Sequence, residues 1–179
     1  LIKSKIEKGD NFLSLFGYTG VSSLVALKKG AKVTHVDASR PAITWFKQNQ
    51  ESSKLENETA RVIIDDCIKF TQREINRGNK YDGVIMDPPA FGHGPQGEKW
   101  IFNKDFPKLL ENVSKIIVPD PKIIIVNAYA VSNSPTSIKN LLVEKFGHLD
   151  GTFESGELTL TEKEGKRTLS TGIYALYKK

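Results

Sequence analysis

What this chain of 179 residues lacks narrows the field first. It holds a single cysteine, Cys67, which excludes an internal disulfide framework and a cysteine zinc site and suits a reducing interior. No apolar run approaches the length needed to cross a bilayer, and the first residues lack the apolar core of a secretion signal. The expectation is a soluble, cytoplasmic protein with no membrane partner. There is also no internal repeat, no metal-ligand cluster and no nucleophilic triad, so no metal is expected. A hydrophobic content of 39% can bury the core of one domain over residues 1–179, and no composition break suggests a second. The chain opens on Leu1, and a helix-like stretch runs almost at once into a buried strand, so a missing N-terminal region is expected. Lys and Arg number 26 against 21 Asp and Glu; the net +5 favours an anionic partner only slightly, since solvated lysines usually explain such an excess.

The hydrophobic pattern alternates between strand and helix. Residues 11–16 (NFLSLF) form a short apolar run ended by Gly17-Tyr18-Thr19-Gly20, and residues 21–29 follow with helical spacing of Val21, Leu24, Val25 and Leu27. Gly30 ends that helix, and residues 32–36 (KVTHV) read as a second strand closing on Asp37. A second helix starts after Ser39, with Pro41 in its first turn and Trp45 and Phe46 on its apolar side. Residues 61–64 (RVII) give a third strand ending at Asp65-Asp66, and residues 68–76 an amphipathic helix stopped by Gly78. Residues 81–86 (YDGVIM) give a fourth strand closing on Asp87-Pro88-Pro89. A Gly-rich stretch over 92–97 then leads to a helix of roughly ten residues around Leu109 and Val113. The apolar run 122–126 (KIIIV) reads as a strand covered on both faces. After a helix near 138–146, residues 152–160 and 168–177 flank the polar turn 162–166, which predicts a hairpin. The sum is a doubly wound α/β fold: a mostly parallel, seven-stranded sheet finished by a C-terminal antiparallel hairpin, Rossmann-like in plan.

In such a sheet ligands bind beyond the carboxyl ends of the strands, and there the informative residues fall. Glycines 17 and 20 remove the Cβ atoms that would block a ligand lying across the turn. The helix behind them offers free N–H groups to an amino-acid carboxylate. Taken alone, the same G-x-x-G reads as a plain strand-to-helix turn. The carboxylate of Asp37 at the second strand tip can accept from both hydroxyls of a ribose, which marks a nucleoside but suits NAD equally. The phosphate-cradling G-x-G-x-x-G is absent, so a pyrophosphate is less well served than an amino-acid tail. Asp66 can accept from an adenine amino group, with Ala38 and Cys67 framing the ring; for Asp65 or Asp66 singly, helix N-capping explains the residue as well. In Asp87-Pro88-Pro89-Ala90-Phe91 the prolines hold the Asp87 carboxylate and Pro88 carbonyl as rigid acceptors for a nucleobase nitrogen, with Phe91 stacked on the base. The bland alternative is a proline-stopped strand with a packed phenylalanine. The stretch 90–104, with Gly92, Gly94, Pro95 and Gly97 before Trp100 and Phe102, reads as a lid with a stacking aromatic. His93 reads as a surface histidine, Cys67 as a small buried hydrophobe, and Arg73 with Arg77 as one solvated helix face that can touch phosphate.

The turn LFGYTG, the strand end THVDAS and the run DDCIKFTQREINRGNKYDGVIMDPPAFGHGP resemble class I methyltransferases of the bacterial large-subunit (23S) rRNA family, which includes a cytosine-C5 and a guanine-N7 enzyme. The resemblance covers nearly the whole chain from residue 11. It implies S-adenosyl-L-methionine as methyl donor, contacted at and around Phe16, Gly17, Tyr18, Gly20, Asp37, Ala38, Asp66 and Cys67. It implies RNA, of the ribosome, as partner, and sets Asp87 to Phe91 against the substrate, where Asp87, Pro88 and Phe91 are the expected catalytic residues. Members that methylate cytosine C5 carry a nucleophilic cysteine after the fifth strand, where this chain reads Asn127-Ala128-Tyr129-Ala130-Val131-Ser132. Attack at carbon needs a covalent adduct, so its absence favours a nitrogen target, whose lone pair attacks directly. Two rival readings stand beside this one: a degenerate RNA-binding or assembly module, and a nicotinamide-dependent oxidoreductase, which the turn sequence and the hairpin disfavour.

Overall fold

Short apolar runs separated by amphipathic stretches are expected to fold by right-handed crossovers into one main sheet, and the computed structural model, which describes residues 1–58 and 60–179, has such a sheet with a small two-stranded one beside it. In chain order the elements are α1 (Ile2–Lys5), β1 (Asn11–Leu15), α2 (Val21–Leu27), β2 (Lys32–Asp37), α3 (Arg40–Ser52), β3 (Ala60–Ile64) and α4 (Cys67–Arg77). They continue as β4 (Gly83–Met86), β5 (Phe91–His93), β6 (Lys99–Ile101), α5 (Phe102–Ile116), β7 (Ile123–Ala128), α6 (Pro135–Phe146), β8 (Thr152–Thr161) and β9 (Thr168–Lys178). The seven-stranded sheet has the order β3-β2-β1-β4-β7-β9-β8. Its first five strands are parallel neighbours; β9 slots antiparallel between β7 and the edge strand β8. The reversal of strand order lies between β1 and β4, so the carboxyl ends of those strands flank the natural ligand crevice.

The period-two pleat of β1 divides the core. Phe12 joins Leu27 and Phe46 beneath α2 and α3, while Leu13 and Leu15 join Phe106, Leu110 and Phe146 beneath α5 and α6. Both clusters are fully buried at these positions, which fixes the sheet register, since a one-residue slip would exchange the two faces. No helix among the described residues is long and apolar enough to cross a membrane.

Several boundaries move from the sequence expectation, each for a physical reason. α2 stops at Leu27, and the chain turns before Gly30, whose φ of +78° returns its amide to the Leu27 carbonyl. Trp45 is 54% exposed on α3, so the apolar side of that helix holds Phe46 but not its neighbour, a 100° step away. β4 begins at Gly83 because Tyr81 pairs only as an isolated bridge with Ile117. The Gly-rich stretch is no open lid: β5 and β6 pair antiparallel, Phe91 opposite Ile101 and His93 opposite Lys99, and α5 runs 15 residues from Phe102.

Candidate active site

The turn after β1 is wound tightly. Phe16, Tyr18 and Gly20 have φ of 54°, 47° and 88°, and two of the three carry side chains in the left-handed region, a cost retained where a site requires it. Gly20 N–H donates to the Gly17 carbonyl at 2.9 Å, and the Asn49 amide holds the Thr19 carbonyl at 2.9 Å from α3. The glycines serve the turn from behind. A Cβ at Gly17 would stand 2.3 Å from the His35 ring, and one at Gly20 would stand 2.0 Å from the Phe46 ring. Those rings stack at 4.2 Å, with His35 Nδ1 sharing a 2.8 Å hydrogen bond with Ser23 Oγ. The expectation that a Cβ here would obstruct a ligand is thus corrected: it would strike the core. Burial lowers the His35 pKa to about 4, so the imidazole stays neutral.

Asp37 ties this turn to β2. Its Oδ2 accepts the Tyr18 amide and its Oδ1 the Ser39 amide, both at 2.8 Å, so the carboxylate is oriented and each oxygen keeps a lone pair. At the tip of β3 the helix-capping alternative holds in part: Asp66 caps α4, with Oδ1 accepting the Lys69 amide at 2.9 Å. Oδ2 of Asp66 has no hydrogen-bond partner among the described residues. Asp65 accepts the Asp66 amide and pairs with Arg73, while Arg77 pairs with Glu74; both arginines stay exposed on the solvated face expected of them, each held by an ion pair. Cys67 is buried at the start of α4, and burial pushes its thiol pKa up, which makes it an inert wall.

Asp87 ends β4 with its amide on the Leu15 carbonyl at 3.3 Å. Its side chain is exposed to the open cleft, and the flanking protein removes part of its hydration, which raises its pKa from the ordinary aspartate value. Pro88 is buried behind the wall and Pro89 stands in it. Trp100 on β6 is 4% exposed; its indole N–H donates to the Pro89 carbonyl at 2.7 Å and its ring lies 4.8 Å from that of Phe16. It is therefore a buried brace rather than the stacking residue expected of a lid. The Phe91 ring, 75% exposed, stands at the start of β5 outside the cavity wall.

These elements enclose a cavity of about 370 Å³ walled by the carboxylates of Asp37, Asp65, Asp66 and Asp87 together with Phe16, Tyr18, Ala38 and Cys67. A smaller hollow of about 140 Å³ adjoins it across Phe16, Tyr18 and Asp87 and is floored by Gly17 and Gly20. Of the expected donor-binding residues, Phe16, Tyr18, Asp37, Ala38, Asp66 and Cys67 converge on the first space and Gly17 and Gly20 on the second. Three wall residues escape or are underrated by sequence reasoning: Ser39, Tyr129 and His93. Tyr129 carried a usable signal, since an aromatic just past an apolar parallel strand falls at the ligand edge. Among the described residues no group of three or more His, Cys, Asp or Glu side chains could hold a metal ion.

Strand order, glycine bend and acidic strand tips together define the Rossmann-like fold of class I methyltransferases. The chain belongs to the family described as Conserved hypothetical protein 95, whose model matches residues 1–145. It is 40% identical to a SAM-dependent methyltransferase from Agrobacterium tumefaciens, whose crystal structure superposes with a TM-score of 0.94 over 99% of this chain and 59% of that one. The structure of SMU.776 in complex with SAH, 20% identical, shares the fold with a TM-score of 0.77 over 98% of this chain and 47% of that one. Among curated proteins, Ribosomal RNA large subunit methyltransferase K/L of Buchnera aphidicola is 34% identical over 121 residues, 66% of this chain. This chain spans 17% of that relative's length.

Proposed function

We propose that this chain is the methyl-transferring domain of an S-adenosyl-L-methionine-dependent RNA methyltransferase that acts on a nitrogen of a base in large-subunit rRNA. The observation that carries the reading is the convergence of Asp37, Asp66 and Asp87 on one cavity, each with acceptor capacity left for a ligand. The relatives' names support the substrate class.

The residues suit the donor molecule. Asp37 is oriented for ribose hydroxyls, Asp66 Oδ2 for the adenine amino group between Ala38 and Cys67, and the hollow over Gly17 and Gly20 for the amino-acid end beside the N-terminus of α2. When bound, S-adenosyl-L-methionine supplies an electrophilic methyl group on a sulfonium. The chain's own work is positioning and charge. The Asp87 carboxylate accepts an N–H of the target base, aims its lone pair and takes up part of the positive charge that grows on nitrogen during attack. Where the target nitrogen bears a hydrogen, that proton passes to the Asp87 carboxylate as the N–C bond forms and S-adenosylhomocysteine leaves with the electrons of the broken C–S bond, and the upward shift of the Asp87 pKa favours this transfer. The chain's single cysteine, Cys67, is buried and held protonated, so no thiolate is offered for the covalent adduct that a carbon target needs.

Titration calorimetry with S-adenosylhomocysteine and with NAD separates this reading from an oxidoreductase; binding of NAD alone would end it. Transfer of tritiated methyl to unmethylated rRNA then separates it from a degenerate assembly module, for which the homologue binds and no label moves. Digestion of the labelled RNA to nucleosides reads the modified atom, and label on carbon overturns the nitrogen assignment.

A further inference from the structure

β7 ends at Ala128, paired with Ile173, but the ribbon of β8 and β9 does not end there. Residues 168–172 continue past that pair, which at roughly 3.3 Å per residue carries the ribbon about 16 Å beyond the carboxyl edge of the sheet, the edge where the cavity opens. At its root the register shifts. Leu158 faces Gly172 and Thr159 faces Ser170, so Thr171 bulges out and its hydroxyl donates to the Leu158 carbonyl at 2.9 Å. A bulge bends and twists the strand that holds it, and re-aims the side chains beyond it. Gly172 permits the close approach: a Cβ there would lie 2.9 Å from the Ala128 carbonyl. In the facing loop Ala130 sits at a φ of 55°, a strained position for an alanine.

Between that loop and the ribbon root lies a groove of about 250 Å³, lined by Tyr129, Ala130, Ser170 and Gly172 among others. Tyr129, 51% exposed, is a wall of this groove and also of the main cavity, so the two spaces join across one aromatic ring. The two faces of the projecting ribbon differ. Glu157 lies opposite Ile173, which packs with the cluster under α5 and α6, and by alternation Thr159 and Thr161, opposite Ser170 and Thr168, continue that face as a row of hydroxyls. Leu158, Leu160 and Leu169 occupy the other face, all exposed.

We infer that the groove and the hydroxyl face of the ribbon form the track for the RNA strand flanking the target base, with Tyr129 as the stacking step between cavity and track. The inference rests on the RNA methyltransferase reading of the same cavity. Phosphate oxygens and 2′-hydroxyls are met by Ser and Thr hydroxyls and by strand-edge amides, and a neighbouring base stacks on Tyr129. The turn carries Lys163, Lys166 and Arg167 against Glu162 and Glu164, and Arg167 is tied to Glu162, so the ribbon contributes hydrogen bonding more than net charge.

The test places the same charge change on each face. Thr159→Asp with Ser170→Asp puts two carboxylates on the hydroxyl face, and Leu160→Asp with Leu169→Asp puts two on the leucine face; all four positions are exposed. Fluorescence anisotropy with a labelled mixed-sequence single-stranded RNA of about twelve nucleotides is expected to show roughly tenfold weaker binding for the first pair only. Calorimetry with S-adenosylhomocysteine is expected to match wild type for both. Equal RNA affinity in the first pair and wild type, or an equal loss in the two pairs, overturns the track. Failure of wild type to bind the homologue overturns instead the methyltransferase reading, which keeps the two failures apart.

Discussion

Trp100 and Pro89 are joined by a 2.7 Å hydrogen bond from the indole Nε1 to the proline carbonyl, across a loop of eleven positions. The bond fastens the wall that carries Asp87 to the β5–β6 hairpin, and the same indole packs on Phe16 at the mouth of the donor side. One buried ring thus sets both sides of the cavity against each other.

Replacing that ring by Trp100→Phe keeps an aromatic body and removes the donor. The Pro89 carbonyl then loses its partner in a site with 4% exposure, a change worth about 1 kcal/mol of stability. The larger effect is expected on transfer: kcat falls roughly tenfold, while affinity for S-adenosylhomocysteine stays within about twofold, because about 1 Å of misplacement is enough to lose a productive line of attack. Urea denaturation and single-turnover methylation check the two halves separately. Equal losses in donor affinity and rate would mean that Trp100 merely supports the cavity.

Asp87 is expected to set the acid limb of the reaction. Partial desolvation in the cleft raises its pKa, so the carboxylate that receives the base N–H is lost on acidification at a higher pH than an ordinary aspartate would allow. Asp87→Ala abolishes transfer and leaves donor affinity within a few-fold. A raised folded pKa also means that this group stabilises the fold at low pH and that the contribution disappears as pH rises through the folded value. At neutral pH Asp87→Asn is therefore expected to melt above wild type while being inactive. A melting point equal to or below wild type would contradict the assigned desolvation.

The acidic tips are legible in the sequence because each follows an apolar run whose length sets where the strand stops. Asp37, Asp66 and Asp87 fall at the ends of β2, β3 and β4 by that counting alone. The terminal hairpin is legible too, from two alternating runs about a polar turn. The insertion of its second strand between β7 and its first is not, because strand order depends on which faces find partners. Trp100 reads as a lid residue because glycines around it signal mobility, and only the pairing of β5 with β6 shows it turned inward. Glycines 17 and 20 read toward the ligand, since nothing in the sequence announces that His35 and Phe46, far apart in the chain, stack behind the turn.

Glu74 is invisible in the sequence for the same reason. On α4 it looks like an exposed acid, yet its side chain is fully buried and accepts from Arg61, Arg77, Asn79 and the Tyr81 hydroxyl at 2.7–2.9 Å. Burial alone would raise its pKa; the hydrogen bonds from Arg61, Tyr81, Asn79 and Arg77 win and lower it to about 2. Its stabilisation is complete above the ordinary 4.5 and lost as pH falls through about 2. His35, also depressed, acts in a higher window: its contribution is complete above 6.5 and lost as pH falls through about 4. Glu74→Gln is expected to cost about 1–3 kcal/mol at neutral pH, because a fully buried acceptor of four donors loses its charge, while the two arginines left behind are partly exposed and can be solvated. It should also flatten the stability profile below about pH 4.5 and leave the His35 window unchanged. Urea titrations across that range measure both, and an unchanged slope would remove Glu74 from the acid response.

The glycine turn offers the sharpest separation of fold from function. Gly20→Ala combines a φ of 88° with a Cβ 2.0 Å from the Phe46 ring, so its expected cost is above about 2 kcal/mol with loss of donor binding. If the obstruction comes from the core, shrinking the ring must relieve it. Phe46→Leu alone costs stability by leaving a void, but the pair Gly20→Ala with Phe46→Leu is expected to cost less than the sum, with donor binding partly recovered. Were the glycine needed only to admit a ligand across the turn, the pair would be additive in stability and binding would not return. A double-mutant cycle read by denaturation and by titration with S-adenosylhomocysteine distinguishes the two. The same logic extends to Gly17, which lacks the left-handed φ of Gly20: the atoms nearest a Gly17→Ala methyl all belong to the His35 ring, so its loss is expected to be smaller than that of Gly20→Ala.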